Sequence, residues 1–172
     1  MRIAISGKSG CGNTTVSRIV SEELNLNLIN FTFRDLARER GISFSELYAY
    51  ASKDSSIDKS LDQRQLEMAS LGNCVLGSRL AIWLLADADL KVYLIGDPEL
   101  RAGRIAVREG ISFDEALGKM NVRDIEDHRR YFSLYEIDND EYHHVDIEID
   151  TARLDQFEVA RVIVKEMLHR RH

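Results

Sequence analysis

The chain has 172 residues, 44% hydrophobic and 30% charged, the balance of a globular domain with enough residues for one substantial core. Its formal net charge of −6 excludes long-range attraction to nucleic acid or anionic membrane, so an anionic ligand has to be held by a local cluster of cations. No apolar run approaches the ~20 residues that span a bilayer, and Cys11 and Cys74 suggest neither a disulfide framework nor a metal site, so a cytoplasmic location is expected.

The first predicted strand, Ile3-Ala4-Ile5, runs into Gly7-Lys8-Ser9-Gly10-Cys11-Gly12-Asn13-Thr14-Thr15, after which Val16, Ile19, Val20 and Leu24 mark a helix. A glycine loop in this setting lets consecutive backbone N–H groups curl around an anion, and the helix N-terminus adds its positive dipole end. Gly7, Gly12 and Thr14 stand at the spacing of the phosphate-binding signature G-x-x-x-x-G-K-[ST], with Asn13 in place of the lysine. An ordinary tight turn would use the same glycines; the strand before and the helix after favour phosphate binding. Cys11, close to the helix start, is a small loop residue whose thiol is expected to have a lowered pKa.

Leu26–Asn30 follows as a second strand and Phe33–Arg40 as a helix stopped by Gly41, with Arg34 at their junction. Ser43 caps a helix reaching about Ser52, and Glu46 completes its capping box. The next helix runs from about Ile57 to Leu71 with an apolar seam of Ile57, Leu61, Met68 and Leu71. Arg64 lies on that seam, and Asp58, Asp62 and Gln65 form a polar row beside it. The row is either a solvated face with a snorkelling arginine or part of a site. Cys74-Val75-Leu76 is a buried strand with Gly77-Ser78-Arg79 at its carboxyl end, and Leu80–Leu85 is helical. Leu90–Ile95 is the next strand, and Pro98 opens a helix on which Arg101, Arg104 and Arg108 share one face. Ser112-Phe113-Asp114-Glu115 opens a short helix with a capping box, and a longer helix from about Asn121 presents Arg123, Asp127 and Arg130 at i, i+4 and i+7. Val145–Ile149 is the last strand and Leu154–Leu168 an amphipathic closing helix; His128, His143, His144, His169 and His172 read as surface residues. The order predicts an α/β fold, a five-stranded parallel sheet with helices on both faces, and helical insertions at about residues 43–71 and 99–136 over the strands' carboxyl edge.

An anion cradle, arginines at two other strand ends and two arginine-bearing helices make a cavity suited to several phosphates. Guanidinium forks grip phosphate oxygens and stay charged, and phosphoryl transfer depends on such positioned cations more than on a general base. Particular segments carry a closer likeness: Ile5-Ser6-Gly7 with Gly12 and Thr14-Thr15-Val16, Phe33-Arg34-Asp35-Leu36-Ala37, Ile57-Asp58-Lys59 through Asp62-Gln63-Arg64-Gln65, Ser78-Arg79-Leu80-Ala81-Ile82-Trp83, Arg104 through Gly110, Arg123 through Arg130-Tyr131, and Ile149-Asp150-Thr151. In these, collinear over nearly the whole chain, the sequence resembles the nucleoside monophosphate kinases, closest to the compact archaeal-type cytidylate kinases. The resemblance implies a single domain of P-loop NTPase type, with an NMP-binding insertion at about 43–71 and a lid at about 99–136. It implies transfer of the ATP γ-phosphate to CMP or dCMP with Mg²⁺. By the same resemblance, Gly7, Lys8, Ser9, Gly10, Cys11, Gly12, Asn13, Thr14 and Thr15 hold ATP, and Thr14 supplies a hydroxyl to the Mg²⁺ shell. Arg34 and Arg79 hold the acceptor phosphate, Asp58, Asp62 and Arg64 lie near the nucleoside, and Arg104, Arg108, Arg123 and Arg130 are lid arginines on the transferring group.

Three positions depart from the family pattern. Asn13 replaces the loop lysine, Gly77 takes the place of an acidic residue that usually precedes the Gly-Arg matched here by Ser78-Arg79, and His128 stands where a lid arginine is common. Lys8 is expected to compensate by returning toward the β- and γ-phosphates. A nucleotide-binding protein without useful turnover, and a kinase for another small phosphorylated acceptor, are the alternatives these positions leave open.

Overall fold

The computed structural model describes residues 1–170; His172 lies outside the described residues. Strands β1 (Arg2–Gly7), β2 (Asn27–Ile29), β3 (Cys74–Gly77), β4 (Leu90–Ile95) and β5 (Ile147–Asp150) form one sheet in the order β2-β3-β1-β4-β5, with every neighbouring pair parallel. Parallel neighbours need crossovers, and helices supply them. Helix α1 (Asn13–Glu23) joins β1 to β2; α2 (Phe33–Arg40), α3 (Phe44–Ala51) and α4 (Ser56–Ser70) lead to β3; α5 (Ala81–Leu84) leads to β4; α6 (Pro98–Glu109) and α7 (Phe113–Tyr135) lead to β5; and α8 (Gln156–His169) follows it. The five-stranded parallel sheet expected from the sequence is the one observed.

Side-chain alternation along the strands builds a core on each face of the sheet. Ile3, Ile5, Val92 and Leu94 pack with Val16 and Val20 of α1 and Val159 and Ile163 of α8. Ala4, Leu76 and Tyr93 pack with Ala69, Ile82 and Leu85. Local signals fix the helices between these layers: Thr32 with Asp35 and Ser43 with Glu46 form reciprocal capping boxes, and Gly41 stops α2. No helix among the described residues is long and apolar enough to cross a membrane.

Two expectations are corrected. The short helix at Ser112–Glu115 and the longer one from Asn121 are a single helix of 23 residues, α7, because Ala116 and Met120 form one seam against Ala102 and Ile105 of α6. Gly118 lies inside it and costs roughly 1 kcal/mol of helix propensity, which that seam offsets. Ser112 caps it by accepting from Glu115 N–H at 3.2 Å. In α4 only the first half of the expected apolar seam is buried, and the polar row beside it is buried too. Met68 is 43% and Leu71 85% exposed, whereas Asp58, Asp62 and Gln65 are 2%, 8% and 1% exposed. Ile57, Leu61 and Ala69 are buried with them, so the helix inserts its polar row into the molecule.

Candidate active site

The carboxyl ends of the strands open into a cavity of about 770 Å³, with the loop Gly7–Thr15 as one wall and residues of α2, α4, α6 and α7 as others. Gly12 has φ 91°, a left-handed conformation that lets the loop turn directly into α1. The turn is closed by Cys11 N–H donating to Lys8 C=O at 3.1 Å. Arg101 then clamps it: Nε donates to the Ser9 carbonyl at 2.8 Å, and the guanidinium pairs with both Asp124 oxygens at 2.6 and 2.9 Å. Thr14 lines the cavity on the first turn of α1. Cys11 is buried, which pushes its thiol pKa up, the reverse of the sequence expectation, because desolvation exceeds the pull of Arg101 and Arg104.

The two unusual loop-edge positions adjoin through one residue. A Cβ added at Gly77 would stand 2.4 Å from Ser17 Oγ and 2.9 Å from Asn30 Nδ2, and Asn30 donates to the Gly77 carbonyl at 2.6 Å. Ser17 Oγ in turn donates to Asn13 Oδ1 at 3.4 Å. Neutral Ser17 and Asn30 thus fill the space beside Gly77, and Ser17 links it to Asn13. Lys8 lines the cavity, and its Nζ pairs with Asp140 at 2.5 Å in the segment after α7.

Arg34, Arg79, Arg104, Arg108 and Arg123 line the cavity, as does Arg38, which pairs with Asp35 at 3.3 Å; Arg64 and Arg130 do not. Arg34 and Arg108 share Glu109 at 2.6 and 2.9 Å. Burial works against the Glu109 charge, but Arg108 and Arg34 hold its pKa below the usual value. Arg123 donates to Ser9 Oγ at 3.2 Å, and with Arg34 it stacks on the Phe44 ring, at 5.0 and 4.7 Å. Burial and then the like charge of Arg79 lower the Arg123 pKa. Arg104 reaches the Gly10 carbonyl at 3.2 Å and Thr151 Oγ1 and carbonyl at 2.9 and 2.8 Å, joining the loop to the end of β5.

Arg79 pairs closely with buried Asp127; burial opposes its charge, yet that carboxylate raises its pKa. Arg130 is turned into the wall, where it bridges Asp58 and Asp127 at 3.2 Å each and lies over the Tyr48 ring at 4.6 Å. Tyr48 also donates to Asp127 at 3.0 Å, and burial and that carboxylate push its pKa up to about 12. Arg64 lies outside, over Phe31 at 3.9 Å and paired with Glu39 at 2.9 Å. His128 is half-buried and bonds Asn139 through Nδ1 at 3.0 Å. Sequence reading missed Arg101, Tyr48 and Glu109 as organisers of the site; Asp127 was visible between two arginines at helical spacing.

Asp62 sits among these groups, accepting from Tyr135 Oη at 2.7 Å, and burial raises its pKa to about 6. Its folded pKa exceeds the unfolded one, so this group favours folding below about pH 4 and that contribution is lost as pH rises through 6. Asp62→Asn is expected to stabilise the protein at pH 7.5 by on the order of 1–3 kcal/mol, with the difference vanishing toward pH 4. Thermal denaturation across pH 4–8 checks this; a pH-independent difference contradicts it.

The chain matches the model of the cytidylate kinase-like family over residues 2–153. It is 44% identical over 171 residues to the protein named cytidylate kinase 2 of Borreliella afzelii, covering 97% of this chain and 96% of that one. It is 40% identical over 168 residues to a cytidylate kinase of Archaeoglobus fulgidus, covering 96% and 93%. A shikimate kinase of Bacteroides thetaiotaomicron shares the fold alone, with a TM-score of 0.64 at 15% identity over 98% of both chains.

Proposed function

The chain belongs to the cytidylate kinase-like family, and we propose that it transfers the γ-phosphoryl group of ATP to the phosphate of CMP or dCMP. The observation that carries this is the convergence of Arg34, Arg79, Arg104, Arg108 and Arg123 on a cavity walled by a glycine loop. Two of those guanidiniums share the single carboxylate of Glu109, which leaves cationic charge for phosphate oxygens. A γ-phosphorus to acceptor-oxygen bond forms as the β,γ-bridging P–O bond breaks, ADP leaves with the electron pair, and the arginines spread the charge of the group in transit. An acceptor phosphate is already an anion, so no general base is required.

ATP lies along Gly7–Thr15; Arg34 and Arg79 hold the acceptor phosphate, and Arg104, Arg108 and Arg123 hold the transferring group. Arg130 serves this set indirectly, by fixing Asp127 and through it Arg79. Helices α3 and α4 form the NMP-binding insertion, and α6 and α7 the lid. Mg²⁺ would be held here as a companion of the nucleotide, by the Thr14 hydroxyl that lines the cavity and the nucleotide's own phosphate oxygens, since packed Gly77 offers it no carboxylate. When bound, the ion neutralises charge on the β- and γ-oxygens. The expected location is cytoplasmic, with ATP and the nucleoside monophosphate as partners.

Lys8 replaces the loop lysine by exchanging Asp140 for the terminal phosphates. Its present ion pair is partly exposed, and such pairs are worth at most about 1 kcal/mol, so the exchange is cheap. Lys8→Met is expected to lower kcat by roughly 10²-fold. An unchanged kcat removes Lys8 from the chemistry. The kinase reading itself is checked by a coupled ADP assay with CMP, dCMP, UMP and AMP. Turnover is expected to be highest with CMP or dCMP, and a folded protein that forms no ADP with any of them overturns it.

A further inference from the structure

Two hydrogen-bond acceptors on one face of α4 have no partner. Gln65 is almost fully buried, and its Nε2 donates to the Phe31 carbonyl at 2.5 Å. A carbonyl accepts only from the N–H side of a carboxamide, so this contact fixes the orientation and leaves Oε1 buried without a hydrogen bond. Two turns earlier, buried Asp58 gives Oδ1 to Arg130 at 3.2 Å, and Oδ2 is left buried without a partner. Both residues line the cavity, with Asp62 between them. Asp62 likewise presents its carboxylate as an acceptor, to Tyr135.

Buried acceptors without donors are uncommon because their lost hydration is not repaid, and a ligand bearing hydrogens repays it. Pyrimidine bases differ at this point: cytosine carries an exocyclic amine, a donor, where uracil carries a carbonyl oxygen, an acceptor. We propose that Asp58 Oδ2 and Gln65 Oε1 form a pair of acceptors on α4 that selects the base, admitting the amine-bearing pyrimidine and rejecting the one with oxygen in its place. The proposal rests on the nucleoside monophosphate kinase reading and adds to it the residues that choose the nucleotide. Discrimination by such a pair is strong because the wrong base leaves buried acceptors facing its own acceptor. Arg64 has no part in this selection, since it lies outside the cavity.

Two substitutions test the pair in different ways. In Asp58→Asn, Arg130 still requires an oxygen, so the new amide nitrogen takes the Oδ2 position and turns an acceptor into a donor. Gln65→Met keeps the length and removes the acceptor. The readout is kcat/KM for CMP against UMP, with Kd for both by calorimetry and thermal denaturation to establish folding. Each variant is expected to lower the CMP-to-UMP preference by about tenfold or more, with Asp58→Asn also improving UMP. A shift in one variant alone assigns the selection to that residue. Folded variants that both keep the wild-type preference within about threefold overturn the proposal. Where one variant does not fold, the other decides. Absence of wild-type turnover with either nucleotide counts against the kinase reading; the ratio of Kd values then decides base selection by the same criterion.

Discussion

Arg123→Met is expected to lower kcat by about 10²–10³-fold while leaving Tm nearly unchanged, because this guanidinium is spent on the ligand and little on the fold. Its hydrogen bond within the chain is a 3.2 Å contact to Ser9 Oγ, on the loop that would carry the triphosphate. Burial and the neighbouring Arg79 both penalise its charge and lower its pKa, a penalty that an anion bound beside it relieves. The same arrangement makes it sensitive to the group in transit, whose charge is greatest where the cations are already crowded together. Steady-state kinetics with ATP and CMP, alongside a melting curve, measures both halves. A kcat within about threefold of wild type would take Arg123 out of the chemistry.

Asp127→Ala has the opposite signature, with a stability loss as large as its kinetic one. The carboxylate is buried and receives Arg79, Arg130 and the Tyr48 hydroxyl. Removing it leaves Arg130 with Asp58 alone and Arg79 without its partner, a change that typically costs about 3–5 kcal/mol. For a chain of this size that is a fall in Tm of roughly 10 °C. kcat/KM is expected to fall with it, since Arg79 is no longer held at the carboxyl end of β3. Asp127→Asn keeps an oxygen for the guanidiniums and is expected to lose less. A Tm for Asp127→Ala within about 2 °C of wild type contradicts the view that this residue anchors both arginines.

The fold was legible because its signals are local. Leu90–Ile95, apolar or aromatic at every position but Lys91 and bounded by turn residues, is β4 residue for residue. Ser43 with Glu46, Gly41 and Pro98 mark helix ends through contacts within a few positions. Five of the six cavity arginines, all but Arg38, were legible as positively charged groups at strand ends and on helix faces. Their division of labour was not. Arg101 shares a face with Arg104 and Arg108 by spacing, yet it turns to Ser9 and Asp124, and Arg130 shares one with Arg123, yet it turns to Asp58. The partner that decides each case comes from another element, at a sequence distance no periodicity reports.

The polar row of α4 stayed open between water and a site for a related reason. Hydropathy assigns Asp58, Asp62 and Gln65 to water and Met68 and Leu71 to the core, and the molecule does the reverse. Burying such a row is unfavourable unless it is paired, and Arg130, Tyr135 and the Phe31 carbonyl pair most of it. Gly77 shows the same limit from the other side. Its lack of a carboxylate is plain in the sequence, but the filling of that space by Ser17, 60 residues earlier in the chain, and the link from Ser17 to Asn13 are visible only in three dimensions. Asn13 and Gly77, two separate departures in the sequence, share Ser17 as a neighbour in the fold.

The most direct test of phosphoryl transfer by this cavity follows the γ-phosphate itself. ATP labelled on its γ-phosphate is incubated with the protein, Mg²⁺ and CMP, and the nucleotides are separated. The expected result is label in CDP, one for each ADP formed, with loss of transfer in Arg123→Met. Tight binding of ATP and CMP by the folded protein with all label left in ATP would contradict it, and would identify a nucleotide-binding protein without turnover.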